Sequence, residues 1–161
     1  DDRWLAYALG TAFHETAFTM QPIHEFGGAD YFFRMYDRRG DRPAVAARLG
    51  NTRDGDGVLF HGRGYVQLTG RRNYRKYQDR LGIDLTSGPA AADRVLEPDI
   101  AAWILFDGMA TGAFTGRAFG DYFAGDKADW KNARRIINGL DRADDIAAYA
   151  KRFYAAISYT T

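Results

Sequence analysis

Three observations predict a mainly α fold with one small β element at about residues 57–69. Apolar residues recur at three- and four-residue spacing through several segments. Alternation at period two is confined to a short stretch around Gly62-Arg63-Gly64. No repeat, low-complexity tract or linker interrupts the pattern. The 161 residues suit a single domain, 1–161, long enough to bury a sizeable core. The chain opens abruptly on Asp1-Asp2-Arg3-Trp4, already helical in character, so the native protein is expected to extend further at its N-terminus.

The elements follow in order. Leu5, Ala8, Leu9, Ala12 and Thr16 predict an amphipathic helix over residues 1–16. At about 100° per residue, Glu15 points near the centre of its apolar face. Residues 17–64 are rich in Gly, Asp and Arg, with turn signals at Phe26-Gly27-Gly28 and Arg39-Gly40 and a short helix over 44–49. Residues 51–57 resemble part of a calcium loop but lack the Glu at its twelfth position, so a turn is the better reading. Residues 58–60 and 65–68 read as short strands around the Gly62-Arg63-Gly64 bend. A helix from Arg71 places Tyr74, Tyr77 and Leu81 on one face and stops at Gly82. Pro98 opens another, with Ala101, Ala102 and Leu105 inward. Residues 130–137 form the next, ended by Asn138-Gly139. Asp141 is expected to cap the last helix, where Ile146, Tyr149, Ala150, Phe153 and Ile157 make a stripe.

Composition excludes several functions. Net charge is +1, from 22 basic and 21 acidic residues, which gives no case for nucleic acid. The cluster Arg71, Arg72, Arg75 and Lys76 reads as a solvated helix face before it reads as a contact for an anionic wall polymer. There are no cysteines, which excludes Cys-containing zinc sites and fits a bacterial or phage protein. The three histidines form no HExxH pattern, and neither a metal nor a cofactor is expected. No apolar run approaches a membrane-spanning length, and no signal peptide is visible.

Two segments carry chemistry, His14-Glu15-Thr16 and the run from His61 to Thr69. A carboxylate on an apolar helix face is costly unless paired or functional. Glu15 therefore reads either as a general acid or as a core Glu paired to an arginine. Glycosidic hydrolysis needs a second carboxylate. Glu25, past Pro22, is the best candidate, ahead of Asp30, Asp37, Asp54 and Asp56. His14 and His24, each beside a candidate Glu, read as structural hydrogen-bonding residues. Glycines flanking Arg63 let the backbone bend while the guanidinium turns inward to hold carboxylates. Gln67 and Thr69, two apart, share one face of the expected strand and can bind a sugar or place a water. Two polar residues on an exposed strand face would look the same.

Taken in order, His14-Glu15-Thr16, Glu25, the run from Phe60 to Thr69 with Asn73-Tyr74, and Ile136-Ile137-Asn138-Gly139 resemble the signature set of glycoside hydrolase family 19. That family holds plant-type chitinases and bacteriophage endolysins. The resemblance runs from residue 14 to about 154, and the Gly-Arg-Gly segment with Gln-Leu-Thr is its most specific part. It implies a lysozyme-like fold and an inverting mechanism, with Glu15 as general acid and Glu25 as general base. It further implies that Gln67 and Thr69 place water and sugar, that Asn73 and Asn138 contact substrate, and that Arg142 supports the carboxylates beside Arg63 and His14. The cysteines and long loops of the plant enzymes are missing, and the short step from Glu15 to Glu25 is closer to the endolysin branch. The step from Glu25 to Gly62 holds an insertion. The resulting expectation is a monomeric enzyme that cuts β-1,4 links between amino sugars in peptidoglycan. A chitinase on the same fold and a non-catalytic wall-binding module are the rivals.

Overall fold

The computed structural model describes residues 1–158, so the last three of the expected 1–161 span lie outside it. Its elements are α1 (Asp2–Glu15), β1 (Ile23–His24), α2 (Ala29–Tyr36), α3 (Pro43–Leu49), α4 (Asp56–Leu59), β2 (Arg63–Gly64), α5 (Arg71–Leu81), α6 (Pro89–Asp93), α7 (Pro98–Thr111), β3 (Phe123–Ala124), β4 (Lys127–Ala128) and α8 (Ala143–Ile157). Short 3₁₀ turns lie at Arg94–Leu96, Phe119–Asp121 and Asn132–Ile136. The protein is mainly helical with two small two-stranded sheets among the described residues. No helix there is long and apolar enough to cross a membrane. The chain divides into two compact units, residues 1–20 with those from Ala102 onward, and Gln21–Ala101.

In the first unit the Asp1 side chain caps α1 by accepting from the Arg3 amide at 3.0 Å. Ala8, Ala12 and Thr16 are buried as their spacing predicts, but Leu5 is exposed. The buried face centres instead on Tyr7, Gly10 and Thr11, for two reasons. The α8 backbone comes so close that a Cβ on Gly10 would sit 2.7 Å from the Ala150 nitrogen. The Tyr7 ring packs on Phe123 and Trp130, with centroids 5.5 and 6.5 Å away. The expected stripe of α8 holds, with Ile146 and Ala150 buried and Tyr149 and Phe153 edge-on to Phe13. Arg142, in the left-handed region at φ 57°, precedes α8 in place of an Asp141 cap. Residues 132–136 wind as a 3₁₀ turn where a regular helix was expected. On α7, Leu105 is buried with Ile104 and Met109, whereas Ala102 is exposed. The β3–β4 hairpin, which turns at Gly125 (φ 54°), had no sequence signal long enough to register.

In the second unit the β element differs from the expected pair of strands. Residues 58 and 59 belong to α4, which starts after Gly55 in the left-handed conformation, φ 86°. Residues 65–67 form a loop, closed by reciprocal backbone bonds between Arg63 and Leu68 (3.2 and 2.9 Å). The true partner of β2 is β1, antiparallel, pairing Ile23 with Gly64 and His24 with Arg63. Tyr74 and Tyr77 of α5 are buried, and Gly82 ends that helix at φ 67°. Residues 51–55 behave as a turn, whereas Asp56 and Gly57 already belong to α4. Arg38 and Arg39 hold Asp54, Arg71 grips Asp56 with two donors, and the amides of Gly55 and Gly57 bond to buried Asp37. These acids face arginines and backbone amides, and no cluster of three metal-ligating side chains occurs among the described residues.

Candidate active site

The candidate residues fall into two clusters, one in each unit. In the first unit Glu15 is the last residue of α1. Its Oε1 accepts from Nη1 of Arg134 at 2.7 Å, with side chains 19% and 5% exposed. Arg134 sits in the 3₁₀ turn at 132–136, and its Nε donates to the Asp141 carbonyl at 3.1 Å. The sequence reading gave the supporting role to Arg142. The structure corrects this, because Arg142 is exposed and paired with Asp145 three residues on. Asn138 is exposed, and its side-chain oxygen accepts from the Gly139 amide at 2.8 Å.

The chain just past Glu15 is strained. Ala17, Phe18 and Met20 all have positive φ (51°, 70° and 55°), a region that costs a non-glycine residue roughly 1–2 kcal/mol. The Thr16 hydroxyl holds the bend, donating to the Ala12 carbonyl (2.7 Å) and accepting from the Met20 amide (3.0 Å). The Phe18 ring is wedged on Phe13 and Tyr149. His14 stacks on Tyr149. Its Nδ1 is buried without a hydrogen-bond partner among the described residues, as are the Tyr7 hydroxyl and Thr11 Oγ1.

In the second unit Glu25 follows β1 directly. Its Oε1 accepts from the Tyr36 hydroxyl at 2.6 Å, and its Oε2 accepts from the Gly62 amide at 3.1 Å. Burial, followed by the Glu25 contact, raises the Tyr36 hydroxyl above the usual phenol range, so it remains a donor. Gly62 serves here by lacking a side chain. A Cβ there would lie 3.0 Å from both Glu25 Oε2 and Gln67 Oε1. Gln67, at φ 53°, is thus brought beside Glu25. Its amide nitrogen ties the Ile23 and Gly64 carbonyls, at 3.2 and 3.1 Å. The chain of contacts continues outward. Thr69 Oγ1 donates to the Gln67 carbonyl (2.8 Å), and Asn73 Nδ2 donates to the Thr69 carbonyl (2.8 Å). Gln67 and Thr69 are therefore linked around a turn, not presented side by side on a strand.

Arg63 is 3% exposed and does not bond to either candidate Glu. Its Nε pairs with Asp93 at 2.8 Å. Its Nη1 donates to the Leu59 and His61 carbonyls and to the Tyr74 hydroxyl. Tyr74 in turn donates to the His61 carbonyl at 3.0 Å, and burial pushes its hydroxyl up to about 12. The buried guanidinium thereby fixes the loop whose next amide, that of Gly62, holds Glu25.

The histidines beside Glu25 have assignable tautomers. His61 Nδ1 lies 2.7 Å from the Val58 carbonyl, so it carries the proton and donates. His61 Nε2 then accepts from His24 Nδ1 at 3.0 Å. The His61 ring lies flat on Phe32, with centroids 4.2 Å apart. Burial lowers its basicity, assisted by the positive charge of Arg63, against the opposing pull of the Val58 carbonyl. Sequence reasoning missed Arg134 and Tyr36. Arg134 lies four residues before Asn138, within the segment already singled out. Tyr36 ends a helix whose eight residues gave too short a pattern to recognise.

No family model matches the chain. A Haemophilus influenzae protein named Glycosyl hydrolase family 19 domain-containing protein is 35% identical to it over 75 residues. The match covers 44% of this chain and 38% of that protein, so it spans little more than a third of the relative's length.

Proposed function

We propose that this chain is a peptidoglycan-degrading glycoside hydrolase of the endolysin type, in which Glu15 is the general acid and Glu25 the general base of an inverting cleavage of β-1,4 bonds between amino sugars. The observation that carries the reading is Glu25, a half-buried carboxylate fixed through both oxygens, with Gln67 beside it across Gly62. A base that must aim a lone pair at water benefits from such fixing. The name of the Haemophilus relative supports glycoside hydrolysis. The choice of peptidoglycan over chitin rests on the absent cysteines and the short step between the two glutamates. A chitinase is the second reading.

Acid catalysis places a constraint on Glu15. Its proton must be present when the leaving oxygen departs, and one carboxyl oxygen must be free to deliver it. The Arg134 contact occupies only Oε1, which leaves Oε2 for the glycosidic oxygen. In this reading substrate loosens the contact. Gln67, Thr69, Asn73 and Asn138 serve the sugar and the water, and the protein works as a single catalytic domain without cofactor.

The test is mass spectrometry of products from purified peptidoglycan and from chitin oligomers, with NMR of fresh product. New reducing ends at muramic acid and an inverted anomer are expected. Cleavage of chitin alone would favour the second reading. A retained anomer would overturn the mechanism. Glu15→Gln should cost roughly 10²–10⁴-fold in rate, and wall lysis at the wild-type rate would remove Glu15 from the chemistry.

A further inference from the structure

The second unit contains a cleft of about 580 Å³ that the scheme above leaves unused. Val58, Leu59 and Pro89 give it apolar walls, and Arg53, His61 and Arg63 also line it. Its volume is within the range of small-ligand sites. Most charges around it are already engaged. Asp54 is held by Arg38 and Arg39, Asp56 by Arg71, and Arg63 by Asp93. Arg53 differs. Its backbone amide bonds to Asp56 Oδ2 at 3.0 Å, which fixes its main chain, yet no carboxylate among the described residues pairs with its exposed guanidinium. The cleft therefore combines one cation that no carboxylate among the described residues pairs with and an apolar wall of Val58, Leu59 and Pro89.

We propose that this cleft takes the peptide stem of peptidoglycan, with Arg53 binding a stem carboxylate and Val58, Leu59 and Pro89 packing its small alkyl groups. The inference rests on the peptidoglycan-glycosidase reading and deepens it by assigning a subsite to the peptide part of that substrate. A guanidinium fork matches a carboxylate with two parallel bonds. Sugars bind through aromatic faces and neutral amides, but the only aromatic ring lining the cleft among the described residues is His61, already covered by Phe32. Chitin has neither a carboxylate nor a peptide to offer. A bare phosphodiester would satisfy Arg53 and leave the aliphatic wall unmatched. The cleft also adjoins the proposed base, because His61 lines it and the next residue, Gly62, holds Glu25.

The experiment uses the full chain, wild type and Arg53→Glu, with Arg53→Gln as a variant that adds no new charge. Each is titrated with a synthetic stem tetrapeptide and with inorganic phosphate. Each is also assayed on intact peptidoglycan and on glycan strands stripped of peptide by an amidase. Arg53→Glu should weaken tetrapeptide binding about tenfold or more, and the ratio of kcat/KM on intact to stripped substrate should fall to a similar extent. Arg53→Lys should restore part of both. Hydrolysis of both substrates with that ratio unmoved would overturn the inference while leaving the glycosidase reading intact. Arg53-dependent tetrapeptide binding with no cleavage of either glycan would do the reverse. Phosphate binding tighter than the tetrapeptide would mark a general anion site and also overturn the inference.

Discussion

Arg134→Gln removes the positive partner of Glu15 while keeping a donor for the Asp141 carbonyl. The contact is 2.7 Å long, and the two side chains are 5% and 19% exposed. Two unit charges about 4 Å apart attract by roughly 4 kcal/mol at an effective dielectric of 20. Losing one member of a fully buried pair costs about 3–5 kcal/mol, because the other charge stays behind desolvated. Water can reach part of Glu15, so the expected loss is smaller, about 2–4 kcal/mol. In a chain of this length each kcal/mol moves Tm by roughly 2–4 °C, which predicts a drop of about 5–15 °C. The assay is a thermal melt of four proteins: wild type, Arg134→Gln, Glu15→Gln and the double variant. If the penalty is the stranded carboxylate, Glu15→Gln should relieve it, and the cycle should show a coupling of about 1–3 kcal/mol. A variant that melts with wild type, or a cycle that adds within error, would mean that the pair contributes nothing and that Arg134 is held by the Asp141 carbonyl alone.

Two further outcomes are expected. In Gly62→Ala the new Cβ meets the side-chain tips of Glu25 and Gln67 at 3.0 Å and the Glu25 Cβ at 3.2 Å, so the Glu25 side chain must give way while the neighbouring backbone shifts by only a few tenths of an ångström. The melt should change little, while activity should fall about tenfold or more as the carboxylate is displaced; full activity would dissociate Glu25 from the chemistry. The third outcome concerns pH. Folding holds His61 below its ordinary value through burial, with Val58, Arg63, His24 and Glu25 as the facing groups. The unfolded chain, with an imidazole near pH 6.5, therefore takes up the proton first. The stability contributed by neutral His61 is fully present above about pH 6.5 and is lost as pH falls through that value toward the lower folded one. Compared with His61→Gln, wild type should lose its relative advantage in melts between pH 8 and pH 5, and a difference that stays flat across that window would exclude the effect.

The legible part of the fold was its helices with long apolar stripes. In α5 and α8 the three- and four-residue spacing recurs often enough to place a buried face, and in α1 it places Ala8, Ala12 and Thr16. The pieces that escaped are short or held by tertiary contacts. The helix α2 has eight residues and buries only Phe32. Val58 and Leu59 look like strand residues, yet Gly55 and the buried Asp56–Arg71 pair turn them into a helical turn. Leu5 was assigned inward because spacing cannot reveal how closely α8 approaches Gly10. The same division runs through the site. Residue types in a pattern drew attention to Glu15, Glu25, Gln67 and Asn73. Sequence could not tell Arg134 from Arg142, because that choice depends on a 3₁₀ turn in which Arg134 faces Glu15 while Arg142 faces solvent.

The Gly-Arg-Gly segment shows how three adjacent residues divide one task. Gly64 is glycine for its backbone, with φ 85° where the chain turns back against Val95. Gly62 is glycine for space, so that its amide can approach Glu25 with Gln67 alongside. Arg63, between them, points away from the carboxylate and locks the carbonyls of Leu59 and His61 through its buried guanidinium. A charge aimed directly at Glu25 would bind the same lone pairs that a base needs for water. A neutral amide and a phenol hydroxyl orient the carboxylate without a formal charge in contact with it. The arginine therefore stabilises the loop, and the loop in turn orients Glu25. That indirect arrangement explains why the motif joins a buried cation, paired with Asp93 and not with Glu25, to two glycines.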